Sequence, residues 1–110
     1  MPFDPVYHES SLSREEIEAM AGPVLLEFGA NWCGICAGFS PELAELLREF
    51  PQVQHVRVAD GKGKPLGRGF KVKLWPTLVF LRDGQVVDQL ARPTAAEARA
   101  GLETITAASN

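Results

Sequence analysis

The two cysteines of this chain, Cys33 and Cys36, are its best candidates for covalent chemistry, and the sequence contains no others. A disulfide between them would close a loop too short to stabilise a fold, because that stabilisation grows with the length of the closed loop. Two thiols at this spacing are suited to a reversible redox reaction or to binding a metal ion. A chance placement at the start of a helix is the third possibility, and the spacing alone leaves all three open.

The residues around the cysteines predict different environments for the two thiols. The run V-L-L-E-F at residues 24–28 is nearly unbroken and apolar, as in a strand covered on both faces, and the cysteine pair follows closely. A helical pattern begins at the pair, and the first turn of a helix offers N–H groups and a positive dipole end that favour a thiolate. We therefore predict that Cys33 is the nucleophile. Cys36, one turn further in and more buried, is predicted to be the resolving thiol.

A βαβ unit is predicted to hold the cysteine pair. Apolar residues between 39 and 50 fall on one helical face, with Pro41 inside the pattern, where a kink or a late first turn is expected. Residues 53–58, V-Q-H-V-R-V, alternate as a second strand, and this alternation places His55 on the surface. A strand, a helix and a strand within about 35 residues predict two parallel strands with a right-handed crossover.

The second half of the chain predicts an antiparallel hairpin. The apolar runs at residues 77–81 and 86–90 are joined through Asp83 and Gly84, a pair typical of hairpin turns. The predicted fold class is therefore α/β, with a mixed sheet that has a parallel βαβ half and an antiparallel hairpin half.

Helices are predicted to cover this sheet. Capping boxes, in which Ser13 is followed by Glu16 and Thr94 by Glu97, indicate two helix starts. A weaker helix is expected at residues 66–70, at the end of a loop rich in glycine and lysine.

Length and charge limit the classes of function. With 110 residues we expect one domain over residues 1–110, divided into an N-terminal extension at 1–12 and a core at 13–107. A net charge of −3 and a pI near 5.3 argue against nucleic acid or an anionic membrane as the main partner. No secretory signal and no apolar run long enough to cross a bilayer is visible, so we expect a cytoplasmic protein, unless a leader was removed.

Two motifs together resemble those of the thioredoxin family. The segment W-C-G-I-C at residues 32–36 resembles the W-C-G-P-C site of that family, and W-P-T-L at residues 75–78 matches its second motif. The strand before the cysteines and Pro41 after them also fit, so the resemblance covers about residues 23–105. It implies the thioredoxin fold, a three-layer αβα sandwich, and reduction of protein disulfides by dithiol–disulfide exchange. It implies no cofactor, since electrons come from a reductase of the thioredoxin-reductase type or from a small thiol, and we expect a monomer.

The resemblance also implies roles for residues outside the cysteine pair. The Trp75–Pro76 bond is expected to be cis, to face the cysteines and to pair with the client backbone. Glu27, the one charge in an apolar strand, stands where the family usually has an aspartate that assists proton transfer at the second cysteine. Burial is expected to raise its pKa. A glutamate that reaches solvent at the margin of the sheet is the alternative.

Several positions are expected to form the client-binding surface. Trp32 is predicted to be an apolar lip beside the reactive thiol, and Gly34 to allow close approach of a client backbone. Ile35 replaces the proline of the family motif. Trp75 is bulkier than the residues usual before the proline, and Arg92 would add a positive charge to the surface.

Other functions remain as alternatives. An extracytoplasmic disulfide oxidase or isomerase would use the same chemistry, and a binding module would leave the cysteines incidental. A zinc site would need Cys33 and Cys36 with His8 and His55, but the two histidines lack the usual spacing of such ligands. We therefore predict no metal site.

Overall fold

The computed structural model of the protein describes residues 3–9 and 12–107. The described elements are, in chain order, α1 (Arg14–Glu18), β1 (Pro23–Gly29), α2 (Gly34–Arg48), β2 (Gln54–Ala59), α3 (Pro65–Gly69), β3 (Thr77–Arg82), β4 (Gln85–Ala91) and α4 (Ala95–Thr106). The predicted strands and helices are confirmed, and each strand end differs from the prediction by at most one residue. Part of the predicted extension (residues 1, 2, 10 and 11) and residues 108–110 of the predicted domain lie outside the described residues.

The four strands form one mixed sheet in the order β2-β1-β3-β4. β1 is parallel to β2 and antiparallel to β3, and β3 is antiparallel to β4. Alternate residues of β1 point to opposite faces. Leu25 packs with the buried residues of α2 and α4, whereas Leu26 packs with those around α1 and α3. The predicted three-layer α/β fold is therefore confirmed.

The hairpin between β3 and β4 has the turn that its sequence predicts. Asp83 and Gly84 adopt φ angles of 51° and 80°, as a two-residue turn of this kind requires. A Cβ atom on Gly84 would lie 1.8 Å from the carbonyl oxygen of Glu18, so the close approach of α1 also requires glycine there.

Residues 3–9 run along the edge of the sheet next to β2 and pair with it. The sequence predicted only that these residues precede the core. His8 forms a parallel bridge with Val58, through bonds of 3.2 Å from its amide to Arg57 O and 2.9 Å from the Ala59 amide to His8 O. Tyr7, next to it, is buried. The segment thereby covers the outer edge of β2, where backbone groups would otherwise lack partners.

Among the described residues, no helix combines the length and the apolar character that a membrane span requires.

Candidate functional site

The cysteine pair lies at the junction between β1 and α2. Cys33 is the N-cap residue of α2, with extended backbone angles, and its Sγ atom accepts a hydrogen bond of 3.2 Å from the amide of Cys36. Both thiols are free, and Cys33 is 9 % exposed while Cys36 is 1 % exposed. Burial, and next a hydrogen bond with Cys33, raise the pKa of the Cys36 thiol to about 11. The deeper thiol therefore holds its proton firmly at neutral pH.

Aromatic side chains form a lip beside the pair. The indole of Trp32 is 79 % exposed and meets the ring of Trp75 edge-on, with 5.3 Å between the ring centroids. Trp75 also packs against the buried cluster of the two cysteines, and its Nε1 donates a hydrogen bond of 2.9 Å to Asp60. Ile35 is exposed as well. A Cβ atom on Gly34 would meet no atom within 4 Å, so the surface beside the lip is open.

The second predicted motif lies next to this lip and is joined to Arg92. The Trp75–Pro76 bond is cis. Arg92, with a φ angle of 49°, donates from its amide to Pro76 O at 2.8 Å and from its Nε to Trp75 O at 2.9 Å. Arg92 therefore donates hydrogen bonds to two carbonyl oxygens of the motif, and it also adds a positive charge to the surface beside the lip.

Glu27 lies inside the protein behind the cysteines, with 0 % of its surface exposed. Its Oε1 accepts hydrogen bonds from His55 Nε2 at 2.8 Å and Arg57 Nε at 2.9 Å, and its Oε2 accepts from Arg57 Nη2 at 3.0 Å and from the hydroxyl of Tyr7. Burial alone would raise the pKa of Glu27, but the hydrogen bonds from His55 and Arg57, and then the charge of Arg57, lower it. The predicted raised pKa is therefore wrong, and so is an escape of this carboxylate to solvent.

His55 is buried, so its predicted place on the surface is also wrong. The N-terminal segment covers its ring, since the amide of Asp4 donates to Nδ1 at 2.9 Å and the ring of Phe3 packs against it in a tilted arrangement, with 5.4 Å between the ring centroids. Because a backbone amide can only donate, Nδ1 is the acceptor and Nε2 carries the proton given to Glu27. The residues of β2 do alternate between two faces of the sheet. His55 is nevertheless buried, because the N-terminal segment covers its ring.

Sequence reasoning missed two residues of this buried cluster, Arg57 and Tyr7. A carboxylate in a strand covered on both faces requires a cationic partner, and Arg57 alternates with His55 on the neighbouring strand, so that signal was available. The signal for Tyr7 was weaker: it is the only tyrosine of the chain. Tyr7 packs with Cys33 and Cys36, and with them it lines a cavity of about 250 Å³ that also reaches Ser40.

The residues considered for zinc do not come together. His8 pairs with Asp4 at 2.9 Å, and His55 is held by Glu27. Within residues 3–9 and 12–107, no three side chains of the metal-binding types form a set that could hold a metal ion. The arrangement is instead suited to thiol chemistry, with one sulfur at a helix N-terminus beneath an open surface and a second sulfur below it.

The chain is similar to proteins of one known family. The family model described as "Thioredoxin" matches residues 5–105. The reduced form of thioredoxin 2 from Pseudomonas aeruginosa PAO1 is 45 % identical and aligns with a TM-score of 0.81 over 92 % of this chain and 94 % of that chain. The thioredoxin of Fasciola hepatica is 26 % identical, with a TM-score of 0.70 over 80 % of this chain and 85 % of that chain.

Curated relatives match a shorter part. An H-type thioredoxin of Ricinus communis is 33 % identical over 69 residues, which are 63 % of this chain and 58 % of that protein. Thioredoxin-2 of Pyricularia oryzae is 33 % identical over 67 residues, which are 61 % of this chain and 39 % of that protein. The chain thus spans less than two thirds of the length of these relatives.

Proposed function

Because the chain belongs to the thioredoxin family, we propose that it is a thiol–disulfide oxidoreductase that reduces protein disulfides through Cys33 and Cys36. The observation that carries this proposal is the placement of Cys33 at the N-cap of α2, with Cys36 buried one turn below and its amide 3.2 Å from Cys33 Sγ. A thiolate at that position is stabilised by the N–H groups and dipole of the helix.

The proposed reaction has two displacements. The Cys33 thiolate attacks one sulfur of a client disulfide, the client S–S bond breaks, and the other client sulfur leaves with the bonding electrons and takes a proton from water. The Cys36 thiolate then attacks Cys33 Sγ, which releases the second client sulfur and leaves a Cys33–Cys36 disulfide. The client gains two electrons, and the protein is returned to its dithiol form by a reductase of the thioredoxin-reductase type or by a small thiol. The reaction needs no cofactor.

A client chain is proposed to dock over the open surface beside the aromatic lip. Trp32 and Ile35 would contact its apolar groups, and the absence of a side chain at Gly34 would let its backbone approach Cys33. Trp75 and Pro76 would face it from the other side. Since Arg92 Nε donates to the carbonyl oxygen of Trp75 at 2.9 Å, a client amide that pairs there would share this oxygen with the guanidinium.

Glu27 is proposed to assist proton release from Cys36 by holding Tyr7 and Arg57 in place beside that sulfur, since its own negative charge would disfavour a thiolate. Its carboxylate has four hydrogen-bond donors and a lowered pKa, so it stays ionised at neutral pH rather than exchanging protons as a base.

Insulin reduction in the presence of dithiothreitol tests the proposal. The protein is expected to accelerate the appearance of turbidity over the dithiothreitol blank, and Cys33→Ser is expected to abolish the acceleration. Cys36→Ser should still form a mixed disulfide but should not turn over. No acceleration by the wild-type protein would favour a binding module with incidental cysteines.

Equilibration with glutathione tests the direction of the reaction. We propose a reductase that works in the cytoplasm as a monomer on disulfide-containing proteins, without nucleic acid or membrane partners. A reduction potential near the value of about −120 mV typical of oxidising periplasmic enzymes would favour an extracytoplasmic oxidase or isomerase instead.

A further inference from the structure

Tyr7 connects the buried carboxylate to the resolving sulfur. Its hydroxyl donates to Glu27 Oε2, and its ring packs in the same cluster as Cys36. Burial is the main cause that raises the pKa of Cys36, and a hydrogen bond with Tyr7 acts in the opposite direction. Tyr7 and Cys36 lie in one buried cluster and line one cavity, so the hydroxyl lies near Cys36 Sγ, where a thiolate could accept a hydrogen bond from it.

The position of Tyr7 is fixed on several sides. Its amide and carbonyl form two hydrogen bonds of 2.9 Å with the side chain of Asn31, in the loop before Cys33. The guanidinium of Arg57 lies 4.2 Å from the ring centroid. The ring also fills the space above Gly29, where a Cβ atom would come within 2.5 Å of its Cζ. The ring of Tyr7 and its hydroxyl oxygen are therefore held in one position.

Glu27 has no capacity left for a direct contact with Cys36. A carboxylate has about four acceptor positions, and the donors on Glu27 are Tyr7, His55 and Arg57, the last of which donates twice. Tyr7, which packs in the same buried cluster as Cys36, is thus the uncharged donor of the carboxylate cluster that lies beside the sulfur.

We propose that Tyr7 is a catalytic hydrogen-bond donor to the resolving thiolate: its hydroxyl donates to Glu27 while Cys36 is a thiol and turns to Cys36 Sγ when that sulfur ionises. This inference rests on the proposed function, because it concerns the second displacement. When the hydroxyl turns, Glu27 keeps the bonds from His55 and Arg57, so the carboxylate remains compensated.

The step balances without a change in the protonation of Tyr7. The Cys36 S–H bond breaks and its proton passes to water in the cavity lined by Cys36, Tyr7 and Ser40. The Cys36 thiolate forms the bond to Cys33 Sγ, and the client sulfur leaves with the electron pair and is protonated by water. Burial and the charge of Glu27 raise the pKa of Tyr7 far above its ordinary value, so the hydroxyl keeps its proton throughout.

The charged and titratable groups that face Cys36 come from four parts of the fold. Cys33 at the start of the same helix, Tyr7 on the N-terminal segment and Arg57 on β2 line the same cavity as Cys36, while Glu27 on β1 and His55 on β2 lie behind Tyr7 and Arg57. Of these, Tyr7 offers a donor that can be removed without changing a charge.

Single-turnover reaction with Ellman's disulfide, 5,5′-dithiobis(2-nitrobenzoate), separates the two displacements. The first nitrothiobenzoate leaves when Cys33 attacks, and the second leaves when Cys36 resolves the mixed disulfide. In Tyr7→Phe the first phase is expected to keep its rate, whereas the second is expected to slow about tenfold at neutral pH, as for loss of a hydrogen bond to a charged group. The midpoint of its pH profile should rise by about one unit.

Phe3→Leu is the matched control. Phe3 belongs to the same segment and its ring also faces Arg57, at 4.9 Å, but it carries no hydroxyl. The second phase of this variant should follow the wild type. Equal slowing in Phe3→Leu and Tyr7→Phe, or a wild-type pH profile in Tyr7→Phe, would overturn the inference while leaving the proposed function intact. Release of one nitrothiobenzoate only by the wild type would overturn both.

A spectroscopic measurement covers the case in which Tyr7→Phe fails to fold. Because the chain contains one tyrosine, a 13Cζ-tyrosine label gives a single resonance. In Cys33→Ser this resonance should move with pH as Cys36, the remaining thiol, ionises. In Cys36→Ser it should stay constant over the same pH range, and a constant resonance in both variants would contradict the inference.

Discussion

At the scale of the residue, neighbours decide how a buried acid behaves. Glu27 has no exposed surface, which on its own would favour the neutral form. The pair formed with Arg57 at 2.9 Å, together with the donor from His55, makes the charged form the more stable one. The sequence showed a carboxylate in an apolar strand, but the sign of its pKa shift depended on partners from another strand.

Glu27→Gln is expected to lower the free energy of unfolding by about 3 kcal/mol, because it leaves the buried guanidinium of Arg57 without a counter-charge. The same variant should slow release from the mixed disulfide more than the attack by Cys33. Chemical denaturation measures the first effect and stopped-flow kinetics the second.

The double variant Glu27→Gln with Arg57→Met is the control for this prediction. Removing both charges should recover part of the lost stability, because the uncompensated cation is gone. A double variant less stable than Glu27→Gln alone would contradict the explanation. Release that is unchanged from about pH 6 to 9 in Glu27→Gln would remove Glu27 from the mechanism.

At the scale of the element, the N-terminal segment acts as an added edge of the sheet. It pairs with β2 through His8 and brings Tyr7 over Gly29 and behind Cys36. The segment has no apolar alternation from which a strand could be recognised. It is held instead by one bridge and a few side-chain hydrogen bonds, which leave no periodic pattern in the sequence. The segment can therefore bring Tyr7 behind Cys36 only when β2 has formed, because β2 supplies the backbone groups with which the segment pairs.

Gly29→Ala tests this docking. Its Cβ atom would lie 2.5 Å from Tyr7 Cζ, so the ring must move, and we expect a loss of about 1–3 kcal/mol in the free energy of unfolding. Amide exchange in residues 3–9 should become faster, and the second phase of the reaction with Ellman's disulfide should slow.

Gly38→Ala provides the matched comparison, since a Cβ atom at this position of α2 meets no atom within 4 Å. Alanine favours a helix over glycine, so this variant is expected to be more stable by up to about 1 kcal/mol. Equal stability of the two variants would show that Tyr7 does not fill the space above Gly29.

At the scale of the whole molecule, the Glu27 cluster links stability to pH. Glu27 has a pKa below its ordinary value of 4.5, so its contribution to stability is complete above that pH and is lost as the pH falls through the lower folded value. We expect the free energy of unfolding of the wild type to fall below about pH 4.5, and that of Glu27→Gln to fall less steeply. Denaturant titrations at a series of pH values measure both curves.

Glu49→Gln is the control for the acid prediction. Hydrogen bonds from Arg99 also lower the pKa of Glu49, but this pair is exposed and screened by solvent. Its curve should stay close to that of the wild type. Parallel curves for the wild type and Glu27→Gln at acid pH would show that Glu27 does not carry the effect.

The sequence by itself determined the elements and the place of the thiols among them. Apolar periods of two and of 3.6 residues, capping boxes and the Asp83-Gly84 turn are local signals, and each depends on residues a few positions apart. Local signals of the same kind place Cys33 at the start of a helix and Cys36 one turn further along it. These features were predictable because backbone geometry near each residue decides them.

Only the tertiary structure decided what surrounds Cys36. Tyr7, His55 and Arg57 reach Glu27 across 20, 28 and 30 positions of the chain, through the pairing of β2 with β1 and of the N-terminal segment with β2. Alternation along β2 indicates two faces but not which face another segment covers, and this is why His55 was misplaced. Contacts between distant segments depend on how the sheet assembles, and no local pattern records that.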